Sequence, residues 1–271
     1  MPSTSPRTGT AHSTQSGRPQ TAHVATVARV GCVAHRSVPL TAARSSPGIG
    51  RSLRPPTAPT VTRDSVTEQM GARVAVLVSG SGTNLQALLD DPVIRPHVSL
   101  VLSDRPGILA LERARDAGVE TAIVEPGGFD DRSDFDLAVL GELESRGVDT
   151  LVSAGYMRLL GKPILDVFGG RWLNVHPALL PSFPGMHGVR DALAYGVRVT
   201  GVTVFLVDEG VDTGPIVSQE VVEVRDDDDW DSLEVRIHAA EHRLLPAAVR
   251  ALIEGRLRVD GRQVRVEVTD G

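Results

Sequence analysis

The chain has 271 residues, of which 41% are hydrophobic, enough for a single large domain with a real core. Its one cysteine, Cys32, excludes an internal disulfide and a multi-cysteine zinc site, and it fits a reducing, cytoplasmic setting. Aromatic residues make up 3% and the formal net charge is −6, which argues against a nucleic-acid surface; no apolar run is long enough to span a membrane.

The charge is unevenly placed. Residues 1–69 hold eight arginines against Asp64 and Glu68, a net of +6, so the remainder carries −12. The first segment is rich in Ser, Thr, Pro, Arg and Ala and keeps no helical or strand period. It reads as a disordered leader, of the Arg-rich, acid-poor kind that can target an organelle. The other reading is a mis-assigned N-terminal extension of a protein that starts near Val66 or Met70. The chain uses Lys162 as its one lysine against 27 arginines, which suggests a GC-rich genome where such errors are easy. Residues 70–271 are expected to form one folded domain.

From Arg73 the pattern becomes regular. "RVAVLVS" (73–79) is a Val-rich run that ends in Gly and predicts a strand buried on both faces. "TNLQALLDD" (83–91) predicts a helix, "VSLVLSD" (98–104) a strand, and "GILALERARDAG" (107–118) a helix stopped by Gly118. "VETAIVE" (119–125) follows as a strand. Phe135, Val139 and Leu143 share one face of a helix that ends at Gly147. "VDTLVSA" (148–154) and "RWLNVH" (171–176) are further strands. This alternation predicts an α/β fold: a Rossmann-like, mostly parallel sheet with helices on both faces. Runs 200–210 and 215–224 predict an antiparallel pair near the C-terminus. Residues 231–255 predict a closing helix, which Pro246 is expected to kink or break.

Three stretches carry candidate chemistry. "SGSGTN" (79–84) joins the first strand to the first helix, where glycines and free N–H groups suit an anion. A turn that binds nothing is the bland reading. A dinucleotide site is the rival, with Asp104 as the ribose acid, although Leu85 fills the third glycine position of that fingerprint. In "NVHPALLPSFPGMHG" (174–188), Asn174 and His176 project from the same strand face about 7 Å apart, at a carboxyl end where ligands collect. A carboxamide donor beside an ionisable ring suits a developing oxyanion. In "DEGVDTGP" (208–215), Asp212 could reach His176 if the turn folds back, orienting the ring and favouring its charged form. His176, His187, His238 and His242 lack a paired metal-ligand spacing, so no metal is expected; His238 and His242 read as a surface pair. "DDDDW" (226–230) reads as an exposed acidic loop before a helix.

Together, "LVSGSGTNLQALL", "AGYMRLL", "NVHPALLPSFPGMHG" and "DEGVDTGPI" resemble, in order and spacing, the folate-dependent phosphoribosylglycinamide formyltransferase family of purine biosynthesis. The likeness runs from about Arg73 to about Val264. It implies that Asn174, His176 and Asp212 form the catalytic trio. It further implies that Gly82, Thr83 and Asn84 hold the phosphate of 5-phosphoribosylglycinamide, with Glu241 helping to bind it. Arg132, Met157, Arg158, Leu159 and Leu160 would line the pocket for the formyl donor, 10-formyltetrahydrofolate. One departure is Phe205, where many relatives carry His. The alternatives are a 10-formyltetrahydrofolate hydrolase with the same trio, or a nucleotide-binding Rossmann-type redox or regulatory domain. The oligomeric state is left open.

Overall fold

A computed structural model describes residues 71–268; the expectations for residues 1–69 lie outside the described residues. The first strand, β1 (Val74–Val78), is completely buried, as its unbroken apolar run predicts. It pairs in parallel with β2 (Val98–Ser103) on one side and β4 (Thr150–Ser153) on the other. β3 (Glu120–Ile123) continues the parallel sheet beyond β2, and β5 (Trp172–His176) continues it beyond β4. β6 (Val199–Leu206) and β7 (Ile216–Glu223) then add antiparallel strands, giving the predicted extension. With β8 (Leu257–Asp260) and β9 (Gln263–Val266), the described residues form a nine-stranded sheet in the order β3-β2-β1-β4-β5-β6-β7-β9-β8.

Alternation along β1 divides the core in two. Val74, Val76 and Val78 join one apolar cluster with α1 (Thr83–Leu89), α2 (Leu109–Asp116) and α6 (Trp230–Ile253). Ala75 and Leu77 join the other, with α3 (Arg132–Ser145) and α4 (Lys162–Phe168). Each fully buried Leu or Phe there contributes about 1.5–3 kcal/mol. Covering both faces leaves the ends of the strands as the place where polar side chains can gather.

Several boundaries differ from the sequence expectations. The run 200–210 is a strand only to Leu206, and residues 207–215 form the turn into β7. Pro246 does not break α6, which runs 24 residues from Trp230 to Ile253. The missing N–H costs one helical bond. The buried stripe of Leu233, Ile237, Ala240, Leu245, Ala248 and Val249 on either side anchors both halves against the sheet. The acidic run is also more than a solvated loop. Asp229 caps α6 in a reciprocal capping box with Ser232, and the Asp228 side chain turns inward to Arg236, Ser232 and the Arg225 N–H. α5 (Gly188–Tyr195), α4 and a terminal hairpin, β8 (Leu257–Asp260) with β9 (Gln263–Val266), are additions to the expected elements.

An ion pair between the buried Asp91 and the half-exposed Arg250 ties the closing helix to the first βα unit. Asp91 accepts from the N–H groups of Val93 and Ile94 at 2.9 and 3.2 Å, and from Arg250 Nε at 2.6 Å. Burial raises its carboxyl, but the bonds from Arg250, Val93 and Ile94 outweigh that and hold it below the ordinary value of 3.8. A depressed carboxylate stabilises the fold above the unfolded value and loses that contribution as pH falls through the folded one. Asp91→Asn is therefore expected to cost about 1–3 kcal/mol at pH 7 and progressively less below pH 3.8. Urea unfolding across that range checks it; a pH-independent difference would refute the ion-pair account.

Candidate active site

Three loops meet beyond the carboxyl ends of the parallel strands. The loop after β1 (79–82) is stitched to the loop after β4, with Ser79 N–H donating to the Gly155 carbonyl at 3.1 Å. Gly82 caps α1 with φ +73°, in the left-handed region. A Cβ there would lie 2.6 Å from Ala110 Cβ and 2.8 Å from its Cα, so packing against α2 also demands glycine. Asn84, one turn in, is 7% exposed and points inward.

β5 ends in the predicted pair. His176 is 4% exposed and Asn174 is half-buried on the same strand face. The register places Phe205 of β6 directly opposite Asn174, so an apolar, 2%-exposed ring flanks the carboxamide. β6 leaves the sheet beside Trp172, with Val207 N–H donating to the Trp172 carbonyl. The turn then comes back to His176, and Asp212 Oδ2 stands 3.5 Å from His176 Nδ1. Asp212 takes φ +53°, a conformation that Asp and Asn tolerate better than most side chains.

The loop after β5 closes the arrangement. His176 Nε2 donates to the Phe183 carbonyl at 2.7 Å, and the Gly185 N–H donates to Asp212 Oδ2 at 2.7 Å. Both atoms facing the ring, the Phe183 carbonyl oxygen and Asp212 Oδ2, are acceptors. Underneath, the buried Thr203 hydroxyl accepts from Leu180 N–H and donates to the Ala178 carbonyl. Gln219 donates to both Thr203 and the Leu180 carbonyl at 2.9 Å. β6 and β7 therefore hold the Pro-rich loop in place. The sequence reading missed Phe183, Gly185, Thr203 and Gln219 because backbone groups and sheet-facing hydroxyls carry no motif.

A second polar cluster joins α1 to α6. Asn84 Nδ2 donates to Glu241 Oε2 at 2.9 Å, uniting residues 157 positions apart. Burial raises the Glu241 carboxyl, opposed by the Asn84 bond and by nearby His238. His238 and His242 are not the surface pair expected. Both are half-buried and stacked at 6.1 Å, and His238 Nε2 lies 4.0 Å from Glu241. Asn84 Oδ1 and His242 Nε2 are buried with no hydrogen-bond partner among the described residues. Unpaired buried polar atoms of this kind are uncommon in a closed core.

The third group surrounds the loop after β4. Met157 and Leu159 are 50% and 58% exposed, while Arg158 reaches back to Asp104 at 3.1 Å. Arg132 opens α3 and lies 3.8 Å from Asp136. Asp104 is not free to hold a ribose. Its side chain is fully buried and its oxygens are taken by Arg105 and Arg158. The dinucleotide reading loses its acid.

An α/β fold with an Asn-x-His strand end and a returning Asp turn offers the donors that acyl-type transfer through an oxyanion needs, and comparison with known proteins gives the class as formyl transfer. The family profile described as "Formyl transferase" matches residues 72–249. A phosphoribosylglycinamide formyltransferase of Mycobacterium tuberculosis is 47% identical over 72% of this chain and 94% of its own length. The corresponding Bacillus subtilis protein is 36% identical over 67% of this chain and 94% of its own length. A crystal structure of glycinamide ribonucleotide transformylase 1 from Symbiobacterium toebii superimposes with a TM-score of 0.70 at 47% identity, covering 72% of this chain and 94% of that one. The chain spans only 14% of the trifunctional purine biosynthetic protein adenosine-3 of Drosophila melanogaster, to which it is 44% identical. The chain belongs to the formyl transferase family, in its phosphoribosylglycinamide formyltransferase branch.

Gly82→Ala should lower stability by at least about 1 kcal/mol, from the left-handed backbone and the forced shift of Ala110. Thermal unfolding measures it. An unchanged midpoint would show that α2 yields freely and that packing does not explain the glycine.

Proposed function

We propose that the protein transfers the formyl group of 10-formyltetrahydrofolate to the amine of 5-phosphoribosylglycinamide, in purine biosynthesis. The observation that carries this reading is the contact of Asp212 with His176, beside Asn174, in a chain of this family. The folate is consumed as a substrate. The cytoplasm is the compartment proposed, supported by the single cysteine.

The amine attacks the formyl carbon attached to N10, and negative charge develops on the formyl oxygen. Asn174 donates a carboxamide N–H to that oxygen, and the His176 ring donates a second hydrogen bond. The Phe205 ring next to Asn174 excludes water on one side, so the carboxamide acts in a poorer dielectric. Asp212 holds the ring in orientation and balances its charge. The C–N10 bond then breaks, N10 gains a proton, and the amine nitrogen loses one. No acyl-enzyme is needed, so neither serine nor cysteine takes part as a nucleophile.

Gly82, Thr83 and Asn84 are proposed to hold the phosphate end of the acceptor. Glu241 is proposed to help bind the acceptor, supported by the hydrogen bond that joins it to Asn84 at the start of α1. Arg132 and Met157–Leu160 are proposed to line the donor pocket, supported by the exposure of Met157, Arg158 and Leu159 on one loop and of Arg132 at the start of α3.

Asn174→Ala and His176→Ala should each reduce turnover by about 10²–10³-fold with the fold retained. Asp212→Asn suits the same left-handed backbone, so it should fold normally and lose turnover without losing stability. Steady-state kinetics with circular dichroism decides; near-normal turnover in either alanine variant removes the assignment. Donor consumption by the unmutated enzyme should require the ribonucleotide. Consumption without it would favour the hydrolase.

A further inference from the structure

The loop after β4 is irregular between Ser153 and Lys162, yet it carries two large exposed apolar side chains, Met157 and Leu159. An irregular loop that presents apolar surface needs anchors, or it collapses onto its own side chains. Its beginning is held from β1 and β2. Ser79 Oγ accepts from the Met157 N–H at 2.9 Å, and Arg158 Nε donates to Asp104 Oδ2 at 3.1 Å. Its end is held from α3, where Asp136 Oδ2 accepts from the Gly161 N–H at 2.8 Å. A Cβ at Gly161 would lie 2.5 Å from that oxygen, so the carboxylate sits hard against the loop backbone.

The anchors share an expensive chemistry. Asp104 is 2% exposed and Asp136 is 3% exposed. Asp136 Oδ1 is buried with no partner among the described residues, as is the Tyr156 hydroxyl in the same loop. Burial raises the Asp136 carboxyl, with Gly161 and Arg132 only partly offsetting it. Burying a carboxylate costs several kcal/mol, and apolar replacements of buried ion pairs are often neutral or stabilising. Stability alone therefore does not account for two such groups on one loop. Each also pairs with an arginine, Arg158 and Arg132 respectively, whose side chains stay 46% and 58% exposed.

We infer that Asp104 and Asp136 are paired positioning residues that fix the two ends of the 155–161 loop and so shape the wall that receives the formyl donor. Neither reaches a substrate; both act through the loop and its arginines. The inference rests on the reading of Met157–Leu160 as the donor wall.

The test compares Asp104→Asn, Asp136→Asn and Ser79→Ala in the full chain. Ser79→Ala removes the Met157 anchor and one hydrogen bond to Asp104 but keeps that carboxylate and both its arginines, so it remains informative if an aspartate variant fails to fold. Each variant should raise KM for 10-formyltetrahydrofolate by about five- to twentyfold. KM for the ribonucleotide and kcat should stay within about twofold, and amide exchange over 156–161 should quicken. Unchanged exchange in that loop, or parallel rises in both KM values, would overturn the positioning role. Faster exchange with an unmoved donor KM would overturn the donor wall itself. Loss of the ribonucleotide requirement in the unmutated enzyme would instead defeat the proposed transfer reaction, whatever the variants do.

Discussion

An imidazole buried to 4% exposure must have its polar atoms met, and meeting them organises this end of the molecule. β5 supplies His176, but a parallel strand that has just ended offers no further partners. The partners come from two loops distant in sequence, Phe183 on one side and Asp212 on the other. Gly185 then links those loops by donating to the same carboxylate. The left-handed backbones of Phe183 and Asp212 are consequences of that geometry, since both loops must turn inward within a few residues. Thr203 and Gln219 supply the floor that keeps the first loop from drifting.

The same region departs from the rules that the rest of the core obeys. The two apolar clusters are assembled from Val, Leu, Ile, Ala, Phe and one Trp, with successive strand residues going to opposite clusters. Around the strand ends lie Asn84, Asp104, Asp136, His176, Thr203 and Glu241, all buried and polar. A chain selected for stability alone would have few reasons to keep them there. Local inconsistency of this kind concentrates where function demands it.

Much of this was legible in the sequence. The Val-rich runs and their spacing define the parallel sheet, because a strand covered on both faces reads as a near-continuous apolar run, as β1 does. Asn174 and His176 are readable because the strand period of two puts them on one face, and Pro177 marks the end of the ladder. Asp212 was readable only conditionally, since its reach depends on how nine residues of turn fold back. The terminal hairpin escaped because β8 and β9 are almost wholly exposed and too polar to show a core pattern. The unbroken α6 escaped because propensity at Pro246 was outweighed by packing along both flanking turns. The inward His238 and His242 escaped because a helical face becomes a site only once Asn84 arrives from 157 residues away.

The Phe183 carbonyl sits where Nε2 of His176 has a proton to give. Any incoming oxygen that wants that proton must evict a neutral acceptor already in residence. A ground-state carbonyl is a near-equal of the incumbent and gains little by the exchange, whereas an anionic oxygen binds the donor about twice as strongly and displaces it readily. In the proposed reaction the lodged backbone group thus levies the same cost on either oxygen, which cancels most of the gain for a neutral carbonyl and leaves the anion only the surplus of its stronger bond.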